Sequence, residues 1–272
     1  MKIYNSIDEF NQIKENLSNL VYVPTMGNLH HGHASLIDIA KQFDQEVIAT
    51  IYINKLQFND KNDYLNYPKT LDKDLELLKQ YGCDHLILPD DSILDNIKNI
   101  KAPSKANKLC GLNRPGHFDG VLTILNKFFS IINPSILILG KKDYQQFVLV
   151  KDFIKDKNLN IKTIGVETIR ERNGLAYSSR NTLLSNNNKS IASMLYKVLK
   201  DIELNKGSLS NDLLNSQIKY LTSNGFELDY LTVCDTESLE QSLDIFKKDL
   251  LVAIAAKLNN VRLIDNIVLT KL

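Results

Sequence analysis

The stretch Leu20-Val21-Tyr22-Val23-Pro24-Thr25-Met26-Gly27-Asn28-Leu29-His30-His31-Gly32-His33 decides how this chain is read. Its first four residues are apolar and β-prone, and after the turn at Pro24 to Gly27 the apolar residues Leu36, Ile39, Ala40 and Phe43 recur at helical spacing. A strand therefore passes through a loop directly into a helix. Val47 to Ile53 follows as an apolar, β-branched run, the pattern of a strand buried on both faces, as parallel sheets require.

The same rhythm extends outward. Leu71, Leu75 and Leu78 mark a helix ended near Gly82, and His85 to Leu88 is a strand closed by Pro89. Leu122, Leu125, Phe129 and Ile132 mark a helix stopped before Pro134, followed by a strand at Ile136 to Leu139, a helix over Tyr144 to Lys155 and a strand at Ile161 to Val166. Alternation of this kind predicts an α/β, Rossmann-like doubly wound parallel sheet over residues 1–168. Beyond it, helical patterns near Ser190 to Leu204 and Asp212 to Ser223 precede β-rich runs at Leu228 to Val233, Leu250 to Ala255 and Val261 to Leu269. These predict a smaller carboxyl-terminal α+β domain over residues 169–272. No internal repeat or glycine-rich linker is present.

Bulk properties narrow the function. Hydrophobic residues make up 43% and charged residues 24% of the 272, values of a globular chain. Lys and Arg total 33 against 32 Asp and Glu, so no global field draws the molecule to nucleic acid or an anionic membrane, and small ligands are the better expectation. Cys83, Cys110 and Cys234 are odd in number and far apart, which argues for a reducing compartment. The amino terminus carries two acids within an otherwise mixed decapeptide and lacks a secretory apolar run, and no stretch approaches the ~18 apolar residues of a membrane span. A cytoplasmic location is expected.

In parallel sheets ligands sit outside the carboxyl ends of the strands, and three loops there are chemically loaded. In the first, Gly27 and Gly32 allow close backbone approach, a helix amino terminus favours an anion, and His30 and His33 lie three residues apart. A solvated turn or a two-histidine metal site are the alternatives, and the strand-to-helix context favours phosphate. In the second, Gly140-Lys141-Lys142-Asp143 leads into a helix, where a lysine suits a phosphate and Gln146 lies one turn on. In the third, Asn173 to Asn181 groups Ser178, Ser179 and Arg180, hydroxyls and a guanidinium that suit phosphate oxygens. Asn54 with Gln57, and the run Arg114 to Gly120, are either turn chemistry or further site residues.

Taken in order, Pro24 to His33, Gln57-Phe58, Arg114 to Gly120, Gly140-Lys141-Lys142-Asp143-Tyr144-Gln145-Gln146 and Tyr177-Ser178-Ser179-Arg180-Asn181 resemble the pantoate-β-alanine ligase family. The resemblance covers residues 24–181, and no diagnostic motif stands out beyond about residue 185. It implies a nucleotidyl-transferase-like domain with a carboxyl-terminal lid, usually as a homodimer. It implies ATP-driven condensation of pantoate with β-alanine, with Mg²⁺, through a pantoyl-adenylate.

By motif match, Met26, Gly27, Asn28, Leu29, His30, His31, Gly32 and His33 hold ATP together with Gly140, Lys141, Lys142, Asp143, Ile169, Tyr177, Ser178, Ser179 and Arg180. His33, His30, Lys142 and Arg180 are the implied catalytic set, with His33 the implied proton donor, and Gln57 and Gln146 the implied pantoate contacts. The family usually has Glu at Lys141, Pro at Lys55 and Met at Tyr177, departures that bear on affinity. Magnesium ligands are unassigned, Asp72 and Asp74 being nearby candidates.

Overall fold

All of residues 1–272 are described by the computed structural model. The helices, in chain order, are α1 (Ile7–Asn11), α2 (His31–Ala40), α3 (Lys61–Leu65), α4 (Leu71–Gln80), α5 (Leu109–Leu112), α6 (His117–Ile132), α7 (Tyr144–Asp156), α8 (Asn186–Ala192), α9 (Met194–Leu204) and α10 (Asn211–Ser223). The chain divides into two compact units. One comprises Met1–Ala106, Arg114–Lys141 and Gln146–Glu167, and the other Asn107–Asn113, Lys142–Gln145 and Thr168–Leu272.

The first unit is built on six strands, β1 (Lys2–Tyr4), β2 (Val21–Thr25), β3 (Val47–Ile51), β4 (His85–Ile87), β5 (Ile136–Gly140) and β6 (Lys162–Val166). They are all parallel, in the order β1-β4-β3-β2-β5-β6. Strand residues Val21, Val23, Val47, Ala49, Leu86, Ile136 and Ile138 bury one face against Leu36, Ile37 and Ala40 of α2 and Leu78 of α4. On the other face Tyr22 meets Phe128 and Phe129 of α6, and its hydroxyl shares a 2.9 Å hydrogen bond with Thr50 Oγ1. That bond satisfies a buried polar atom inside an otherwise apolar layer.

The order of the sheet reverses beside β2. From β2 the chain builds β3 and β4 on one side, then returns to lay β5 and β6 on the other, so the switch point lies between β2 and β5. The two strands also part there. β2 pairs with β3 through all five of its residues, but with β5 only at Val21 and Tyr22. Pro24, which has no N–H to give, stands just beyond the last β2–β5 pair. The carboxyl ends of β2 and β5 thus open a crevice at the place where such sheets bind ligands.

Sequence and structure differ at the margins. β1, three residues long, is too short for a period to show, yet it pairs with β4, and the Tyr4 hydroxyl lies 3.0 Å from Nδ1 of the buried His85. The strand expected to reach Ile53 ends at Ile51, because the chain turns at Asn54, whose side chain caps a short 3-10 turn at Lys55–Gln57.

The second unit holds the antiparallel sheet β7 (Glu227–Asp235), β8 (Leu250–Leu258) and β9 (Val261–Leu269), in that order. Asn259 and Asn260, both at positive φ, make the β8–β9 hairpin, as a tight two-residue turn demands. One face packs on Leu195, Val198, Leu199 and Ile202 of α9 and Leu214 and Leu221 of α10. The other face, through Cys234, Leu251 and Ala253, is packed by Leu109 and Tyr144. Covered twice, β8 reads Leu-Leu-Val-Ala-Ile-Ala-Ala-Lys-Leu without alternation. The single helix expected over Ser190 to Leu204 is two, α8 and α9, meeting at Ser193. No helix is long and apolar enough to cross a membrane.

Candidate active site

The loop from β2 to α2 is held from outside. Asn28 is left-handed at φ 49° and follows Gly27 at φ 80°, so the chain doubles back and presents consecutive amide groups to one side. Asp74 of α4, only 2% exposed, fills that concavity. Its Oδ2 accepts the Asn28 N–H at 2.9 Å, while Oδ1 accepts the Leu29 N–H at 2.7 Å and the Thr70 hydroxyl at 3.0 Å. A Cβ on Gly27 would come within 3.1 Å of Asp74 Oδ2, which leaves little room for any other residue there. Burial pushes the Asp74 carboxyl up from its ordinary value, against the pull of these three donors. Sequence reading weighed Asp74 only as a metal candidate; its structural partners make it the anchor of the histidine loop.

His30 and His33 cap α2 reciprocally. His30 Nδ1 accepts the Gly32 N–H at 3.2 Å, and His33 Nδ1 accepts the His30 N–H at 3.3 Å, an imidazole version of the Ser-x-x-Glu box. The rings lie 4.1 Å apart between centroids. An Nδ1 that accepts carries no proton, so each neutral ring bears its proton on Nε2. Two Nε2–H donors, fixed by the backbone, therefore accompany the positive end of the helix dipole. His31 takes the first helical position and is exposed.

A second constellation surrounds Gln57. Its Nε2 lies 2.9 Å from Met26 Sδ, and its Oε1 accepts from Asn54 Nδ2 at 3.1 Å, so the loops after β2 and β3 meet at this side chain. The Gln57 carbonyl is gripped by His117 Nδ1–H at 2.7 Å and Arg114 Nη2 at 3.2 Å, and Arg114 Nη1 donates to His117 Nε2 at 3.1 Å. Asn54 Nδ2 also reaches the Gly120 carbonyl at 3.1 Å. Gly120 permits this approach: a Cβ there would stand 2.3 Å from Leu56 O. The run Arg114 to Gly120 is thus the cradle of the Gln57 loop, a role its turn-like composition left open.

The remaining expected residues fall into two groups. In the first unit, Gly140 ends β5, Lys141 Nζ pairs with Glu167, and Gln146 is half-buried on α7. In the second unit are Lys142, Asp143, Ile169 and Tyr177 to Arg180. Lys142 Nζ lies 3.9 Å from Asp143 Oδ2, and its carbonyl accepts Asn266 Nδ2 at 2.8 Å. Ile169 O accepts the Tyr177 N–H at 3.1 Å, and Ser178 Oγ caps the turn that carries Arg180 by accepting its N–H at 3.3 Å. The neighbouring lysines accordingly belong to different units, and the one that departs from the family pattern is the one neutralised by a glutamate. Lys55 is likewise paired, donating to Asp91 Oδ2 at 2.8 Å beside Tyr52 OH at 3.0 Å from Oδ1.

No group of three or more His, Cys, Asp or Glu is arranged to hold a metal ion. Both oxygens of Asp74 already serve protein donors, and Asp72 is exposed on the first turn of α4. The chain therefore offers no preformed cage for a divalent cation.

A parallel sheet with a strand-to-helix loop carrying a reciprocally capped histidine pair at its switch point defines an α/β protein of nucleotidyl-transferase-like fold. Comparison with known proteins gives the family. The family model described as pantoate-beta-alanine ligase matches residues 2–268. A pantothenate synthetase of Acidithiobacillus ferrooxidans is 39% identical over 280 residues, covering 99% of this chain and 100% of that protein. The crystal structure of pantothenate synthetase from Thermus thermophilus superposes with a TM-score of 0.91 at 30% identity, over 99% of this chain and 100% of that one. The Francisella tularensis pantoate-beta-alanine ligase, solved in complex with beta-gamma ATP and beta-alanine, gives 0.83 at 36% identity, over 98% and 97%. The chain belongs to the pantoate-beta-alanine ligase family.

Proposed function

We propose that this chain condenses (R)-pantoate with β-alanine, cleaving ATP to AMP and pyrophosphate through a pantoyl-adenylate. The observation that carries the reading is the reciprocal cap of His30 and His33, which uses both Nδ1 atoms and leaves two Nε2–H groups at the amino terminus of α2, on the loop that follows β2. Pantoate carboxylate attacks the α-phosphorus, and negative charge grows on the bridging oxygen as pyrophosphate departs. His30 and His33 stabilise that charge through hydrogen bonds from Nε2–H, each neutral ring keeping its proton rather than transferring it as the family resemblance implied for His33, while Lys142 and Arg180 neutralise the β- and γ-phosphates. In the second step the β-alanine amine attacks the acyl carbonyl, loses a proton, and AMP leaves. Gln57, fixed by Asn54 and by the His117 and Arg114 grip on its carbonyl, and Gln146 orient pantoate.

Mg²⁺, when bound, neutralises phosphate charge. No cluster of acidic side chains is arranged to hold it, so the residues supplying its charge compensation would be Lys142, Arg180 and the histidine pair rather than a carboxylate cage. The three cysteines, all free and buried, suit a reducing cytoplasm, and the family resemblance favours a homodimer, which sedimentation would check.

The decisive assay is ATP–pyrophosphate exchange with and without pantoate. Exchange that requires pantoate, with free AMP released only when β-alanine is added, is the expected result. A final product that keeps the adenylyl group would instead place the chain among the nucleotidylyltransferases.

A further inference from the structure

Lys142 and the turn Ser178 to Arg180 are far apart in sequence, yet one buried polar chain links them. Asp265 of β9 is 4% exposed and accepts Arg170 Nη1 at 2.6 Å and Nη2 at 2.9 Å, a bidentate pair. The guanidinium lies 3.8 Å from the ring centroid of Tyr196 and donates again to Gly174 O at 3.2 Å and Asn266 O at 3.3 Å. On one side Asp265 Oδ1 accepts the Asn266 N–H at 2.8 Å, and Asn266 Nδ2 gives its hydrogen to Lys142 O at 2.8 Å. On the other side Arg170 sits in the small hairpin where Glu171 N–H meets Leu175 O at 2.8 Å and Tyr177 N–H meets Ile169 O at 3.1 Å. Asn181 Nδ2 closes the chain, donating to Glu171 Oε1 at 3.1 Å and Ala176 O at 3.0 Å. Gly174, at φ 93°, lies so close to Tyr196 that a Cβ would come within 2.6 Å of its ring, so the hairpin is pressed onto the residue that also supports Arg170.

A buried ion pair is a poor source of stability, because desolvating both partners roughly cancels their attraction and an apolar replacement often serves as well. Its geometry is another matter, since every hydrogen of the guanidinium fork fixes a direction. We propose that Arg170, Asp265 and Asn266 are positioning residues that hold the Lys142 backbone and the Ser178 to Arg180 turn in register for pyrophosphate departure. This rests on the functional reading above and adds to it residues of β9, a part of the chain in which sequence reading found no functional signal. Asn266 is the informative member, because its side-chain Nδ2 holds the Lys142 carbonyl while its backbone makes the bonds to Asp265 and Arg170, so the side chain can be changed without removing either partner of the ion pair.

The prediction separates the two half-reactions. With Asn266→Ala and the near-isosteric Asn266→Asp, pantoate-dependent ATP–pyrophosphate exchange falls at least tenfold, and the loss lies in kcat rather than in KM for pantoate. Release of AMP from purified pantoyl-adenylate and β-alanine stays within about twofold of wild type, because the pyrophosphate has already gone. Equal losses in both half-reactions, which general loosening of the fold would produce, overturn the inference, as does unchanged exchange in both variants. Wild-type protein without pantoate-dependent exchange refutes the functional reading itself, and the inference with it, before any variant is compared.

Discussion

Replacing Asp74 by Asn isolates the part played by one buried carboxylate in setting the histidine loop. The substitution keeps size and one acceptor oxygen but turns an amide NH₂ toward a backbone N–H that now has no acceptor. A hydrogen bond to a charged group contributes about 1.5–3 kcal/mol, and Asp74 makes three of them, to Asn28, Leu29 and Thr70. At least one is lost. Opposing this, Asp74 carries a cost of its own: burial raises its pKa, so the folded state binds a proton more readily than the unfolded state does.

The sign follows from linkage. A carboxyl raised in the fold is most favourable below its unfolded pKa, and that advantage disappears as pH rises through the folded pKa, above which the ionised group is held at a penalty. Asn removes the penalty. The two effects offset each other in global stability, and the thermal midpoint should shift by no more than about 5 °C, given ~2 °C per kcal/mol for a chain of this size. Activity has no such offset. A displacement of catalytic groups by about 1 Å costs on the order of 100-fold, and exchange should fall by that order with the fold intact.

The measurement pairs thermal unfolding with pantoate-dependent exchange across a magnesium titration. If Asp74 anchors the loop, the Mg²⁺ concentration at half-maximal rate is unchanged while the maximum drops. Exchange within threefold of wild type, or full rescue by added Mg²⁺, refutes the anchoring role.

Four further outcomes are expected. Changing His33 or Lys142 to alanine should lower exchange at least about 100-fold, the size of losing one preorganised transition-state contact, and near-wild-type turnover in both would defeat the assigned roles. Lys141→Ala should alter exchange less than threefold, since that lysine is already paired with the largely exposed Glu167 and such pairs contribute little, a contrast read in the same assay. Gly120→Ala forces a Cβ against Leu56 O at 2.3 Å, so equilibrium unfolding should show a loss of about 1–3 kcal/mol, and KM for pantoate should rise as the Gln57 loop shifts. Asp265→Ala leaves Arg170 buried without its counter-charge, and denaturant titration should register about 3–5 kcal/mol of destabilisation.

How far the sequence foretold this depends on the range of the interactions concerned. The first unit was readable because its strands are buried on both faces and its helices obey their period, so local pattern and global fold agree at Val21 to Thr25, Val47 to Ile51 and Ile136 to Gly140. The histidine pair stood out because its members lie three residues apart at a strand-to-helix turn, although nothing in the sequence foretold that they would cap that helix reciprocally. Asp74 was not, because its partners are 45 and 46 residues away and an acid in the first turn of a helix is ordinary. Arg170 with Asp265, separated by 95 residues, left no mark either, since a charged residue in a strand reads as an outward-facing one until its partner is known. The same distance effect hid the cover over the second face of β8, which comes from Leu109 and Tyr144, residues that lie by sequence among the strands and helices of the parallel sheet.

That cover limits how the molecule can be taken apart. A fragment beginning at Thr168 would carry the whole antiparallel sheet but neither Asn107–Asn113 nor Lys142–Gln145, the two excursions that complete its unit. Cys234, Leu251 and Ala253 would then face water, and such a fragment should expose an apolar strip and self-associate rather than fold as a free module. Swaps of this unit between homologous chains should therefore be made at five crossings, not one.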